Sequence, residues 1–125
     1  MLEAYSLNVT VAADAAVPFN NISLEKGCTA ILQSPSTIAL NKCGVYMVSV
    51  DASSAAATTI QLYKDGVAQP QAQNTGLNPN FETLVQVSHN NCGCCCASPT
   101  TIQVLNTGDA EATFTNINIA VTKVC

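Results

Sequence analysis

The stretch Ile38-Ala39-Leu40-Asn41-Lys42-Cys43-Gly44-Val45-Tyr46-Met47-Val48-Ser49-Val50 decides the fold. Two apolar, β-branched halves flank the short polar turn Asn41-Lys42-Cys43-Gly44. In the second half Tyr46, Val48 and Val50 alternate with Met47, Ser49 and Asp51. A period of two sends one set to a core and the other to the opposite face of a strand. A helix would need apolar residues three and four apart, and no stretch of the chain sustains that spacing.

The alternation recurs on both sides. Tyr5, Leu7, Val9 and Val11 share one phase, against Ser6, Asn8, Thr10 and Ala12. Ile60 and Leu62 lead into Lys64-Asp65-Gly66, a hairpin turn, since glycine readily takes the positive φ such turns demand. Val85 and Val87 alternate with Leu84 and Gln86, and Ile102 and Val104 run into the turn Asn106-Thr107-Gly108-Asp109. Ile117, Ile119 and Val121 close the series. The Ala-rich segments 12–16 and 52–57 are expected as strand ends and a loop, because Ser, Thr and strand signals flank them. Strands at intervals of roughly 8–15 residues, split by turn residues, mean an all-β sandwich or barrel. The expected unit is one domain over residues 1–125.

Composition narrows the partners. Only 10% of residues are charged, against about 25% in a typical soluble domain. The net charge is −4, and the four basic residues, Lys26, Lys42, Lys64 and Lys123, are scattered. Nucleic-acid binding needs clustered basic side chains to displace counterions, so it is excluded. Mean hydropathy is +0.26, yet no apolar run approaches the roughly 20 residues of a membrane span, so no membrane insertion is expected. The first residues lack a basic segment followed by an apolar one, so no signal peptide is expected. A chain this apolar and this poor in charge is expected to hide surface in an oligomer; the competing reading is a well-packed sandwich with an Ala/Thr surface.

Val17-Pro18-Phe19-Asn20-Asn21, followed by the stretch from Ile38 to Val50, resembles the core of the TNF-like and complement globular-head superfamily. Ile60-Gln61-Leu62-Tyr63-Lys64-Asp65-Gly66-Val67, the late Asn106-Thr107-Gly108 and the closing Ile117-to-Val121 strand continue the likeness. The C-terminal domains of collagen-like spore-surface glycoproteins share that core, and the whole chain is similar to prophage-encoded head fibre proteins. The resemblance implies a TNF-like ten-stranded jelly-roll sandwich that forms a homotrimer. In that topology the strands holding Tyr46, Val85 and Ile117 share a sheet whose outer face meets neighbouring subunits. Out of phase with the core on these strands are Val45, Met47, Leu84, Phe114 and Val124, the expected trimer interface. Fully burying Met47, Leu84 or Phe114 is worth about 1.5–3 kcal/mol each. The competing reading is a bulge that turns some of them inward.

The seven cysteines depart from the superfamily pattern. Counting strand reversals from Val45 onward places the loop with Cys92, Cys94, Cys95 and Cys96 at the same end as Cys43 and Cys125, and leaves Cys28 apart. Disulfides within or between subunits would each contribute roughly 2–4 kcal/mol. A metal site is the second reading: Cys92 and Cys95 have a zinc-compatible spacing, and Cys43, Cys94, Cys96 or Cys125 could complete the set. Free thiols are the third, and no cofactor is expected.

Catalytic chemistry is not legible. His89 is the sole histidine, and Ser88 beside it points to the opposite face of a strand. No phosphate loop, HExxH or GxSxG occurs. Asp109 and Glu111 could assist a calcium ion, although a polar turn accounts for them. The expected function is therefore non-enzymatic: a trimeric head fibre or decoration domain on the exterior of a bacteriophage particle. It would be made in the host cytoplasm, touch capsid or other virion proteins, and possess scope for adhesion to a host receptor or glycan. Alternatives are a receptor- or carbohydrate-binding tip, with Tyr63 as the exposed aromatic, or the terminal trimerisation domain of a bacterial collagen-like protein on a cell or spore surface.

Overall fold

The computed structural model describes residues 1–88 and 100–125. Its ten strands are β1 (Leu2–Val11), β2 (Asn21–Glu25), β3 (Ala30–Ser34), β4 (Thr37–Leu40), β5 (Gly44–Ser54), β6 (Thr58–Lys64), β7 (Val67–Gly76), β8 (Asn80–Val87), β9 (Thr100–Asn106) and β10 (Ala112–Lys123). They form two five-stranded sheets, ordered β2-β1-β10-β5-β8 and β3-β4-β9-β6-β7. Every pairing is antiparallel. β5, β8 and β10 share the first sheet, as the resemblance requires.

The core lies between the sheets and follows the period-two pattern. On β5 the buried set is Tyr46, Val48, Val50 and Ala52; on β8 it is Phe81, Thr83, Val85 and Val87. Ile60, Leu62, Ile102 and Val104 meet them from the second sheet. The segment after β1 crosses between sheets and inserts Val17 and Phe19 into the core. Its backbone is paid out along β9: Val17 N donates to Val104 O at 2.7 Å and Asn106 N to Ala15 O at 3.0 Å.

Two buried polar side chains fix that crossing. Ser6 Oγ donates to Pro18 O at 2.6 Å and accepts from Asn20 N at 2.9 Å. Asn106, fully buried, accepts at Oδ1 from Thr58 Oγ1 (2.7 Å) and Gly108 N (3.1 Å). Its Nδ2 donates to Val11 O and Ala110 O, both at 3.1 Å. Gly108 has to lack a side chain here, since a Cβ would stand 2.6 Å from Thr58 Oγ1. A buried amide costs stability unless its capacity is used, and here both of its atoms are bonded.

The alternation breaks in β1 and β10, two neighbouring strands of the first sheet. In β1, Leu2, Ala4 and Ser6 point inward, Leu7 and Asn8 both face solvent, and Val9 and Val11 return to the core. Asn8 sits at φ 52°, a left-handed conformation that asparagine tolerates better than branched residues. In β10, Phe114 and Ile117 are buried while Thr115 and Asn116 face out. β1 and β10 stay in register through Leu7–Asn116 and Val9–Phe114, but β10 slips against β5 between Phe114 and Asn116. The paired bulge corrects two expectations at once. Tyr5 and Leu7 do not share the phase of Val9 and Val11, and Phe114 does not face a neighbouring subunit.

Candidate functional site

The outer face of the first sheet collects the residues of interest. Cross-strand rows run over β10, β5 and β8: Thr122, Met47 and Leu84; Ala120, Ser49 and Glu82; Asn118, Asp51 and Asn80. β1 extends the last row with Tyr5 opposite Asn118, and Leu7 stands opposite Asn116. Met47 and Asp51 are four residues apart, so the two ends of the face are separated by about 13 Å.

The β5 N-terminal end is apolar. Met47 and Leu84 are direct partners, 38% and 58% exposed, and Val124 is 51% exposed. Val45 is half-buried beside them. Four of the five residues expected at a subunit interface thus occur together on this end. The fifth, Phe114, is fully buried in the core for the reason given above.

The C-terminal tail closes the same end. Val124 N donates to Val45 O at 2.8 Å, and Lys123 Nζ to Cys125 O at 2.8 Å. Gly44, at φ 142°, allows this approach: a Cβ there would sit 2.5 Å from Cys125 O. Cys43, Val45, Ser88 and Cys125 line a concavity of about 320 Å³. Cys43 and Cys125 therefore do converge. Cys28 and Cys125 are free, exposed thiols, whereas Cys43 is engaged.

Cys28 is not apart from this end, contrary to expectation. The β3–β4 hairpin pairs Ala30 with Leu40, so the chain returns to its own starting point. Asn41 Nδ2 then donates to Cys28 O at 2.9 Å, two residues before Cys43. Counting reversals only from Val45 onward left that hairpin out. Cys92, Cys94, Cys95, Cys96 and His89 lie outside the described residues. Among the described residues no three His, Cys, Asp or Glu side chains gather as a metal set, and Asp109 and Glu111 are simply exposed.

The opposite end of the face is polar and concave. Tyr5, Leu7, Asp51, Ser53, Asn116 and Asn118 line a depression of about 370 Å³. Ser53 Oγ donates to Asn78 Oδ1 at 3.1 Å. Sequence reading missed Tyr5, which the unbroken alternation had put in phase with core residues. The discoverable signal was Asn8, a residue suited to a left-handed bulge, within the run. Tyr63, the aromatic singled out from sequence, is half-buried on the second sheet between Gln103 and Ala68.

Neither a protein-family model nor a curated protein matches the sequence. Solved structures do. The Eiger TNF of S. frugiperda superposes with a TM-score of 0.70 at 12% identity, over 99% of this chain and 92% of that one. The globular domain of zebrafish complement 1qA gives 0.67 at 10% identity, over 95% and 94%. The fold is the TNF-like jelly roll. The same jelly roll relates the chain to PRD1 vertex protein P5, with a TM-score of 0.67 at 14% identity over 99% of this chain and 72% of the other. At such identities the likeness is one of fold.

Proposed function

We propose that the chain is a non-enzymatic structural domain, spanning residues 1–125, that assembles as a homotrimer on the exterior of a bacteriophage particle. Its role is that of a head fibre or decoration domain, in contact with capsid or other virion proteins and presented to the host surface. The observation that carries the reading is the apolar end of the first sheet. Met47 and Leu84 face solvent side by side, with Val45 and Val124 next to them, in a chain that has few charges elsewhere. A second copy of the chain is the occupant that this end fits, because a ring of three lets each copy offer the patch once and receive it once.

The fold supports the setting as well. The TNF-like jelly roll occurs in a phage vertex protein, which makes a virion position compatible with this architecture. A disulfide at Cys43 belongs to the same reading.

The test is mass in solution by light scattering, with and without reductant, alongside antibody labelling of intact particles by electron microscopy. A trimer, and labelling on the particle exterior, are the expected results. A monomer under every native condition overturns the assembly, and particles that stay unlabelled while the protein is present in their lysate overturn the location.

A further inference from the structure

We propose that the polar end of the first sheet's outer face is a binding site for a neutral saccharide. The site lies on the same sheet face as the apolar end, so the inference rests on a trimer that covers only that end. Its shape comes from the paired bulge. Leu7 and Asn8 on β1, and Thr115 and Asn116 on β10, put successive residues on the same face and bend the two strands together. Bulges re-aim side chains and cluster at binding sites. Here the result is a depression of about 370 Å³, within the size range of small-ligand pockets.

The chemistry of the lining is divided by strand. β10 supplies the amides of Asn116 and Asn118 at the centre; β5 supplies the Asp51 carboxylate and Ser53 hydroxyl on one side; β1 supplies the Tyr5 ring and Leu7 on the other. Among the described residues, the side chains of Asp51, Asn116, Asn118 and Tyr5 spend no hydrogen bond on the protein itself. A sugar presents hydroxyls at its rim and C–H groups on its face. The amides donate and accept, the carboxylate accepts from paired hydroxyls, and the aromatic ring covers the C–H face.

Charge selects among ligands. Asp51 is the one charged group in the lining, and the chain carries −4 overall. Phosphates and acidic sugars are repelled, and a single carboxylate is too few for a divalent cation. A dry protein partner would have to bury that carboxylate unpaired, at considerable cost. A hydrated, hydroxyl-rich ligand meets neither obstacle.

The experiment titrates the full-length, ¹⁵N-labelled chain with galactose, glucose, mannose and N-acetylglucosamine in turn, and with N-acetylneuraminic acid as the charged comparator. At least one neutral sugar should shift the amide resonances of residues 5–7, 51–53 and 116–118, with a millimolar Kd set by the ligand's small size. Asp51→Ala should weaken it about tenfold or more, the loss of charge-assisted hydrogen bonds. Tyr5→Ala should weaken it too, while Val67→Ser on the second sheet should not. Asp51 is exposed, so its variant should melt with the parent chain, which separates loss of binding from loss of fold. The proposal falls if no neutral sugar moves these resonances, if Asp51→Ala binds like the parent, or if the acidic sugar binds equally well. Any of these in a chain that is still trimeric leaves the assembly reading intact.

Discussion

The two ends of one sheet face share β5 and β10 and differ in almost every property that governs association. At one end Met47 and Leu84 pair side by side and the C-terminal tail lies flat over Gly44. At the other, a paired bulge turns Leu7 and Asn116 outward beside Asp51 and Asn118. The first end gains from losing water, by roughly 25 cal/mol per Å² of apolar surface covered. The second would lose by it, since a carboxylate and two amides would need new partners. A single sheet can therefore hold a copy of itself at one end and keep the other wet.

The division can be broken from either side. The largest effect is expected from Met47→Asp combined with Leu84→Asp. Losing two apolar contacts removes about 3–6 kcal/mol per interface before the repulsion of the new carboxylates is added. Light scattering should show monomers, with the melting temperature of the isolated fold. Asn116→Asp, at the wet end, should leave the mass unchanged.

Gly44→Ala comes next. Its Cβ would collide with Cys125 O and Lys123 Cε, and the residue would be held at φ 142°. A destabilisation of about 1–3 kcal/mol is expected, read as a lower denaturant midpoint. The tail should then loosen from Val45, which an alkylating reagent would report as faster labelling of Cys125.

Asn8→Val tests the bulge itself. A β-branched residue in the left-handed region costs about 1–2 kcal/mol, and Asn8→Gly should cost little, so the two variants distinguish backbone strain from a lost side-chain contact. The smallest effect belongs to Asn118→Ala. Its amide makes no bond that the fold depends on, and stability should change by less than about 0.5 kcal/mol. A large loss there would mean that the wet end is structural, and the contrast between the ends would disappear.

Much of this was readable in the chain. The β5 pattern placed Tyr46, Val48 and Val50 inside and Met47 outside, because a regular strand with one buried face leaves no freedom in phase. The turns at Asp65-Gly66 and Asn106 to Gly108 were marked by residues whose backbone or side-chain chemistry the turn requires. What alternation could not convey was where it stops. A bulge adds one residue without leaving a gap in the apolar count, so Phe114 was set on the wrong side and Tyr5 was grouped with the core. Its only local trace is Asn8, and asparagine is equally at home in an ordinary exposed position. The position of Cys28 was lost differently: it depends on a hairpin that closes before the stretch from which direction was counted.

Asn106 has a consequence for anyone who would alter this molecule. Its one amide joins the end of β1, the start of β6 and the turn before β10, which are far apart along the chain. These three connections cannot open one at a time. Their amide protons should exchange with solvent together and late, and peptide epitopes grafted into the 107–110 turn should unfold the whole rim.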